Sequence, residues 1–293
     1  MTLEQLRAFV AVAEREHVTR AAAAIHRTQS AVSAAVAGLE QQSGVTLFHR
    51  VGRRVVLTEE GRQFLVEARA VLAQTDAAER ALADLAGMKR GSLSVMASQT
   101  IASYWLPPRL VAFHARHPQV IVKVLAGNTA EVAEAVAAGK IEIGLVEGAV
   151  HDPLFEQTLV GRDRLVIVAP SGHPWTKKPP RPADLIKEQW VLREKGSGTR
   201  SAFEAAIAEK GIDAAKLQVS LELPSNEAVR LAVREGAGVS ALSELVAEAG
   251  IKFGALAPVK FALPERAFHA LRHRERYLSK SGLAFMRELL ARQ

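Results

Sequence analysis

A chain of 293 residues with 48% apolar but only 5% aromatic residues is long enough for two or three domains, their cores built from Ala, Val and Leu. It has no cysteine, which removes disulfides, thiolate metal sites and thiol nucleophiles together. No apolar run approaches a membrane span, so the expectation is a cytoplasmic protein with no membrane partner. The formal charge of +7 favours a polyanionic partner. It does not localise one, because residues 1–57 hold seven Arg against four Glu.

In chain order, Thr2 and Gln5 form a capping box before an amphipathic helix with Leu6, Phe9, Val10 and Ala13 on one face. Two short helices follow, about Thr19 to Ile25 and Thr28 to Gln42. Thr28 suits the N-cap of the second, and Gly44 can supply its left-handed end. Val32, Val36 and Leu39 make a narrow buried stripe. The opposite face carries Gln29, Ser30, Ser33, Ala34 and Ala37, small or uncharged. Periodicity alone fits an ordinary core pair as well as a helix-turn-helix. Leu47 and Phe48 then anchor a hairpin whose arm carries Arg50, Arg53 and Arg54, which favours a winged helix-turn-helix. In that reading Gln29 and Ser33 are the first candidates for base edges, with Thr28 and Ser30 at the helix start. Arg27, Arg50, Arg53 and Arg54 serve phosphate.

Thr58 caps a long helix expected to reach about Met88. Phe64, Ala68, Val71, Thr75, Ala78, Leu82 and Leu85 are spaced as a coiled-coil seam, which a second copy of the chain would cover. The alternative is a long core helix of the next domain. After Lys89-Arg90-Gly91 the pattern becomes strand 92–97, helix 102–114, strand 120–126, helix 129–138 and strand 141–146. It restarts after Arg164 with strands at 165–169, 190–192, 217–223 and 239–242 and helices at 199–210 and 226–235. A strand near 267–271 and a helix at 282–292 close the chain. This is an α/β arrangement of two similar lobes, with crossings near 161–164 and 263–266.

The segments LEQLRAFVAVAE (3–14), TRAAAAIHRTQSAVS (19–33), LEQQSGVTLFHR (39–50) and LTEEG (57–61) stand in order without insertions, and the chain resembles a LysR-type transcriptional regulator. Ser30 stands where that family usually has Pro, and Ala34 where a longer polar residue is common, leaving fewer side chains for base contact. The resemblance implies a winged helix-turn-helix over 1–58 and a dimerising linker helix over 59–89. It also implies a two-lobed effector domain of the periplasmic-binding-protein type over 90–293, with lobe I at 90–162 and 265–293 and lobe II at 163–264. Homodimers or homotetramers on an inverted-repeat double-stranded DNA operator, acting on RNA polymerase, are the implied assembly.

A ligand of such a fold sits beyond the strand ends, where loops feed helix N-termini. The donor-rich loops there are Ser98-Gln99-Thr100, Gly127-Asn128-Thr129, Gly196 to Arg200 and Pro224-Ser225-Asn226, with Glu147 facing the same mouth. Each threonine taken singly reads as a helix cap. Taken as a set, Ser98, Gln99, Thr100, Asn128, Thr129, Glu147, Gly198, Thr199 and Asn226 suggest a site for a small anion. Arg200 is either a carboxylate partner or a solvated helix residue. TIASYWLPPRLVAFHARHP, GNTAEVAEAV and IGLVEG resemble the branch of sulfur-assimilation and carbon-fixation regulators, which implies a sulfur oxyanion or a phosphorylated metabolite. His114 with His117 and His269 with His273 have spacings a metal can use, but no third ligand accompanies them. No catalytic set is present, so neither an enzyme nor a cofactor is expected. The competing readings are a two-lobed solute-binding protein or enzyme, and a DNA-binding module whose C-terminal half serves only assembly.

Overall fold

The computed structural model describes residues 1–52, 54–86, 91–148 and 150–291. Its contacts divide into two compact units, residues 1–86 with 137–140 and residues 91–136 with 141–291.

The first unit opens with α1 (Leu3–Arg15), where the Thr2 hydroxyl accepts from the Gln5 amide and the Gln5 side chain accepts from Thr2. This helix buries more than the one expected face. Leu6 and Phe9 pack with Leu39, Leu47 and Ala68, while Ala8, Ala11 and Val12 pack with Ala21, Ala22 and Val32. Helix α2 (Val18–Ala24) and α3 (Gln29–Ser43) follow. Thr28 caps α3 through Ala31 N–H, and Gly44 ends it at φ +69°, a backbone region that costs glycine nothing.

Strands β1 (Phe48–Val51) and β2 (Arg54–Leu57) pair antiparallel as the wing. Glu40 holds its base by accepting from Leu47 and Phe48 N–H, and Val55 N–H donates to Glu16 carbonyl. Thr58 then caps α4 (Glu59–Leu85) through Gly61 N–H. The expected end of this helix at Met88 and the break at 89–90 lie outside the described residues. Ala68 of the seam is buried within the unit, whereas Val71, Leu82 and Leu85 are exposed.

In the second unit β3 (Ser92–Ser98) leads into a π-helical turn at Ile101–Trp105 and then α5 (Pro107–Arg116). A single helix from Ala102 is the wrong expectation. Pro107 and Pro108 offer no N–H, and the turn closes instead through Leu106 N–H to Ile101 carbonyl. Strand β4 (Ile121–Gly127), α6 (Thr129–Ala137) and β5 (Ile143–Glu147) complete a parallel β4-β3-β5 core. The next strand, β6 (Phe155–Pro170), runs far longer than expected.

A short α7 (Pro174–Lys177) leads to β7 (Gln189–Arg193), α8 (Gly198–Ala208), β8 (Gln218–Leu223), α9 (Asn226–Arg234) and β9 (Ser240–Ser243). Two elements absent from the sequence reading come next, α10 (Glu244–Lys252) and β10 (Leu256–Val259). β11 (Glu265–His273) and α11 (Lys280–Leu290) close the chain.

β11 pairs antiparallel with β5 on one side and with the first part of β6 on the other. The later part of β6 pairs with β9 and β10. The chain therefore passes between two lobes on the paired stretch Asp163–Arg164 and Glu265–Arg266. One core gathers Leu93, Phe113, Ile143, Leu145, Phe268 and Phe285; the other lobe is built on Ile167, Trp190 and Phe203 with a second cluster around Val191, Val229 and Leu242.

Candidate DNA-binding surface and effector cleft

On the first unit the packing of Val32 and Leu39 inward leaves Gln29, Ser30, Ala34 and Ala37 exposed and Ser33 half-buried. Arg50 and Arg54 are exposed on the two strands of the wing, and Arg53 lies outside the described residues. Gln29, Ser33, Arg50 and Arg54 line one concavity of about 320 Å³, together with His17, Val18 and Thr19 from the start of α2. Ser30 and Thr28 share a hydrogen bond at 3.1 Å, which ties that serine to the helix cap. Arg27 is paired with Glu4 at 3.1 Å. Both partners are well exposed, so the pair is worth a fraction of a kcal/mol up to about 1 and yields easily to a phosphate.

In the second unit the loops named from the sequence converge where the two lobes meet. Ser98 and Thr100 end β3, both buried. Thr100 Oγ1 accepts from Asn226 Nδ2 at 3.1 Å, and Gln99 takes the Asn226 amide N–H and donates to Pro224 carbonyl. Ser98 Oγ is buried and has no hydrogen-bond partner among the described residues. Thr129 Oγ1 donates to Glu147 Oε2 at 3.2 Å. The start of α8 lies directly against this pair: a Cβ on Gly198 would stand 2.6 Å from Thr129 Oγ1 and 3.0 Å from Glu147. Only glycine lets α8 approach so closely. Asn128 is half-buried and caps α6 with Glu131, each side chain accepting from the other's backbone.

Two charged residues at this junction escaped the sequence reading. Arg266, 6% exposed, donates twice to Asp163 at 2.8 and 2.6 Å and once to Thr199 Oγ1 at 3.0 Å, and stands 3.8 Å from Glu147. Arg193, 4% exposed, donates to Asn226 Oδ1 at 2.7 Å and to both oxygens of Glu194. Glu194 is partly buried, which raises its pKa, but the bonds from Arg193 outweigh that and hold it below the usual range. The remaining candidate, Arg200, is held by Glu204, Glu222 and the Arg193 carbonyl. No local pattern marks Arg266 or Arg193: one follows Glu265 at the start of β11 and the other ends β7, and the partners of Arg266 at Asp163 and Thr199 and of Arg193 at Asn226 lie far off in the chain. Tyr104, on the π-helical turn, packs into the Val191–Val229–Leu242 cluster of the other lobe and donates to Glu227 at 2.9 Å. Burial and that carboxylate push its hydroxyl up to about 12. Among the described residues no group of three or more His, Asp or Glu could hold a metal, and no helix is long and apolar enough to cross a membrane.

Comparison with known proteins agrees with both halves. Residues 3–62 match the model of the bacterial regulatory helix-turn-helix proteins of the lysR family, and residues 86–293 match that of the LysR substrate binding domain. The HTH-type transcriptional regulator YeiE of Escherichia coli K12 is 34% identical over 98% of this chain and 96% of its own. A probable RuBisCO transcriptional regulator of Guillardia theta is 32% identical over 99% of this chain and 95% of its own. The regulatory domain of Synechocystis CcmR, solved in complex with 2-PG, superposes with a TM-score of 0.63 at 25% identity, covering 69% of this chain and 97% of that one. With an exposed recognition helix beside a basic wing, a two-lobed second unit and both family models matched, the chain belongs to the LysR family of DNA-binding transcriptional regulators.

Proposed function

We propose that this regulator reads an inverted-repeat operator as a homodimer or homotetramer in the cytoplasm and is switched by a small anion held between the lobes of its second unit. The functional limits are 1–58 for DNA binding, 59–89 for the linker helix and 90–293 for effector binding, with lobe I at 90–162 and 265–293 and lobe II at 163–264. Gln29 and Ser33 face the bases, flanked by Thr28 and Ser30. Arg27, Arg50, Arg53 and Arg54 serve phosphate, and dimer spacing with DNA shape adds selectivity. RNA polymerase is the partner on which the outcome acts.

The effector residues are Ser98, Gln99, Thr100, Asn128, Thr129, Glu147, Gly198, Thr199 and Asn226. The observation that carries the effector reading is the buried Ser98 hydroxyl at the end of β3, without a partner among the described residues. A ligand oxygen placed there satisfies a donor that the protein leaves bare. The Thr129 hydroxyl and the Arg266 guanidinium, both turned to the Glu147 carboxylate, are donors of the kind an anion uses and support this reading. An effector changes DNA binding only through unequal affinity for two states of the protein.

The DNA test is a mobility-shift titration on the protein's own upstream region. Arg50→Ala weakens every duplex alike and lowers the log–log salt slope by about 0.9, while Gln29→Ala erodes discrimination between duplexes. Unchanged affinity for both variants at every salt concentration sinks the docking scheme. The effector test is thermal stabilisation of the full chain by 2-PG, sulfate, thiosulfate, phosphate and small carboxylates. If none stabilises a chain that still binds DNA, the second unit serves assembly only.

A further inference from the structure

The docking of α3 on DNA leaves open which edge of the Gln29 amide meets the base pair. A glutamine side chain carries an acceptor and a donor pair on one planar group, and rotating the amide by half a turn exchanges them. Free to rotate, it accepts either kind of base edge and distinguishes little. In this structure the group is not free. Thr19 Oγ1, two residues into the region where α2 begins, donates to Gln29 Oε1 at 3.2 Å. The carbonyl is thereby drawn towards α2, and the NH2 group is directed away from it. The pair lines the same concavity as Ser33, Arg50 and Arg54, the surface that meets DNA in the reading above.

We propose that Thr19 is a specificity-determining positioning residue, whose hydroxyl fixes the Gln29 amide with its NH2 edge towards the base pair. Resting on that docking reading, the inference names the chemistry the amide selects. An NH2 edge calls for an acceptor in the major groove: purine N7, guanine O6 or thymine O4. Adenine is met at its N7 acceptor. Cytosine offers only its N4 donors, and two donors face each other. The amide therefore excludes cytosine at its point of contact. The Thr19–Gln29 bond is exposed in the free protein, where water competes for both groups. Docking removes that water, and the bond strengthens at the moment it is needed.

The test selects duplexes from a randomised library with the full-length chain, then measures competition at each position of the recovered site. Wild type and Thr19→Ser, which keeps the hydroxyl, exclude cytosine at one base-pair position per half-site by about tenfold. Thr19→Val, nearly the same shape without the hydroxyl, brings that position to about even and leaves the others and the salt slope unchanged. Gln29→Glu, which presents only acceptors, moves the preference at that same position to cytosine. A Thr19→Val variant with the wild-type pattern everywhere overturns the proposal. So does a Thr19→Ser variant that behaves like Val, and so does a loss spread over every position with a lower melting temperature, which marks a structural role. A wild-type chain that selects no sequence overturns the docking reading itself and this inference with it.

Discussion

Arg266→Met removes a cation shared by Asp163, Glu147 and Thr199. Arg266 and the carboxylates it faces are all almost wholly buried, and the arginine makes three hydrogen bonds of 2.6 to 3.0 Å. Removing one partner of a buried pair costs about 3–5 kcal/mol, because the other charge stays in the interior uncompensated. Here two carboxylates are left, and Ser243, which donates to Asp163 at 2.9 Å, remains as a partner of that acid. The upper part of the range applies. At about 2–4 °C per kcal/mol for a domain of this size, the midpoint falls by roughly 10–15 °C. The assay is thermal and urea unfolding, both followed by tryptophan fluorescence. All three tryptophans, Trp105, Trp175 and Trp190, lie in the second unit, so the signal isolates it. Replacing Asp163 as well, Arg266→Met with Asp163→Met, recovers the part of the loss that Asp163 carries, while buried Glu147 keeps its own. A single variant that loses less than about 1 kcal/mol refutes the view that this cluster joins the lobes.

Tyr104 titrates near 12, and its protonated form is the one the fold favours. Its contribution is full below the unfolded value of 10 and is lost as pH rises towards 12; Tyr104→Phe removes the absorbance step near 12, and if that step persists the assignment is wrong. Gly61→Ala drives a Cβ to 2.2 Å from the Leu47 carbonyl. It destabilises the first unit by about 1–3 kcal/mol, read as loss of specific DNA binding with the tryptophan transition unchanged. Leu82 and Leu85 are 67% and 82% exposed on α4. Leu82→Glu with Leu85→Glu shifts the sedimentation coefficient towards the monomer, and an unchanged oligomer shows that the seam is not the contact.

The elements legible in the sequence are those with a local cause. Thr2, Thr28 and Thr58 sit at the N-caps of α1, α3 and α4, and Gly44 sits at the C-cap of α3. Each is a few residues from the groups it satisfies. The missed pair α10 and β10 has a different character. Ser243 ends β9 and caps α10 at once, so no turn separates strand from helix. The expected strand is shorter than β6 because the first part of β6 does not alternate: Phe155 and Val160 are buried five positions apart, and Gly161 has no side chain, which makes room for Trp105. That contact spans more than fifty positions and leaves no periodic trace. The same holds for Arg266 and Asp163, separated by 103 residues and joined only by the strand pairing of β6 and β11.

Ser98 and Thr100 show where local reading stops and what that means for a ligand. Both are hydroxyls at one strand end, and both read equally well as caps or contacts. The Thr100 hydroxyl is bonded to Asn226, 126 residues away, and the Ser98 hydroxyl to none of the described residues. A ligand acceptor meeting Thr100 takes the proton of a hydroxyl already satisfied in part as an acceptor of Asn226, which gains less. At Ser98 it recovers a desolvation penalty of about 1–3 kcal/mol that the free protein carries. Affinity should therefore depend on Ser98 more than on its neighbour. Ser98→Ala removes the penalty along with the group, so it stabilises the ligand-free chain by about 1 kcal/mol while abolishing the thermal shift from whichever anion stabilises wild type. Stability and response move in opposite directions. A Ser98→Ala chain that is less stable than wild type, or that keeps the full shift, shows that the hydroxyl is not the ligand's contact.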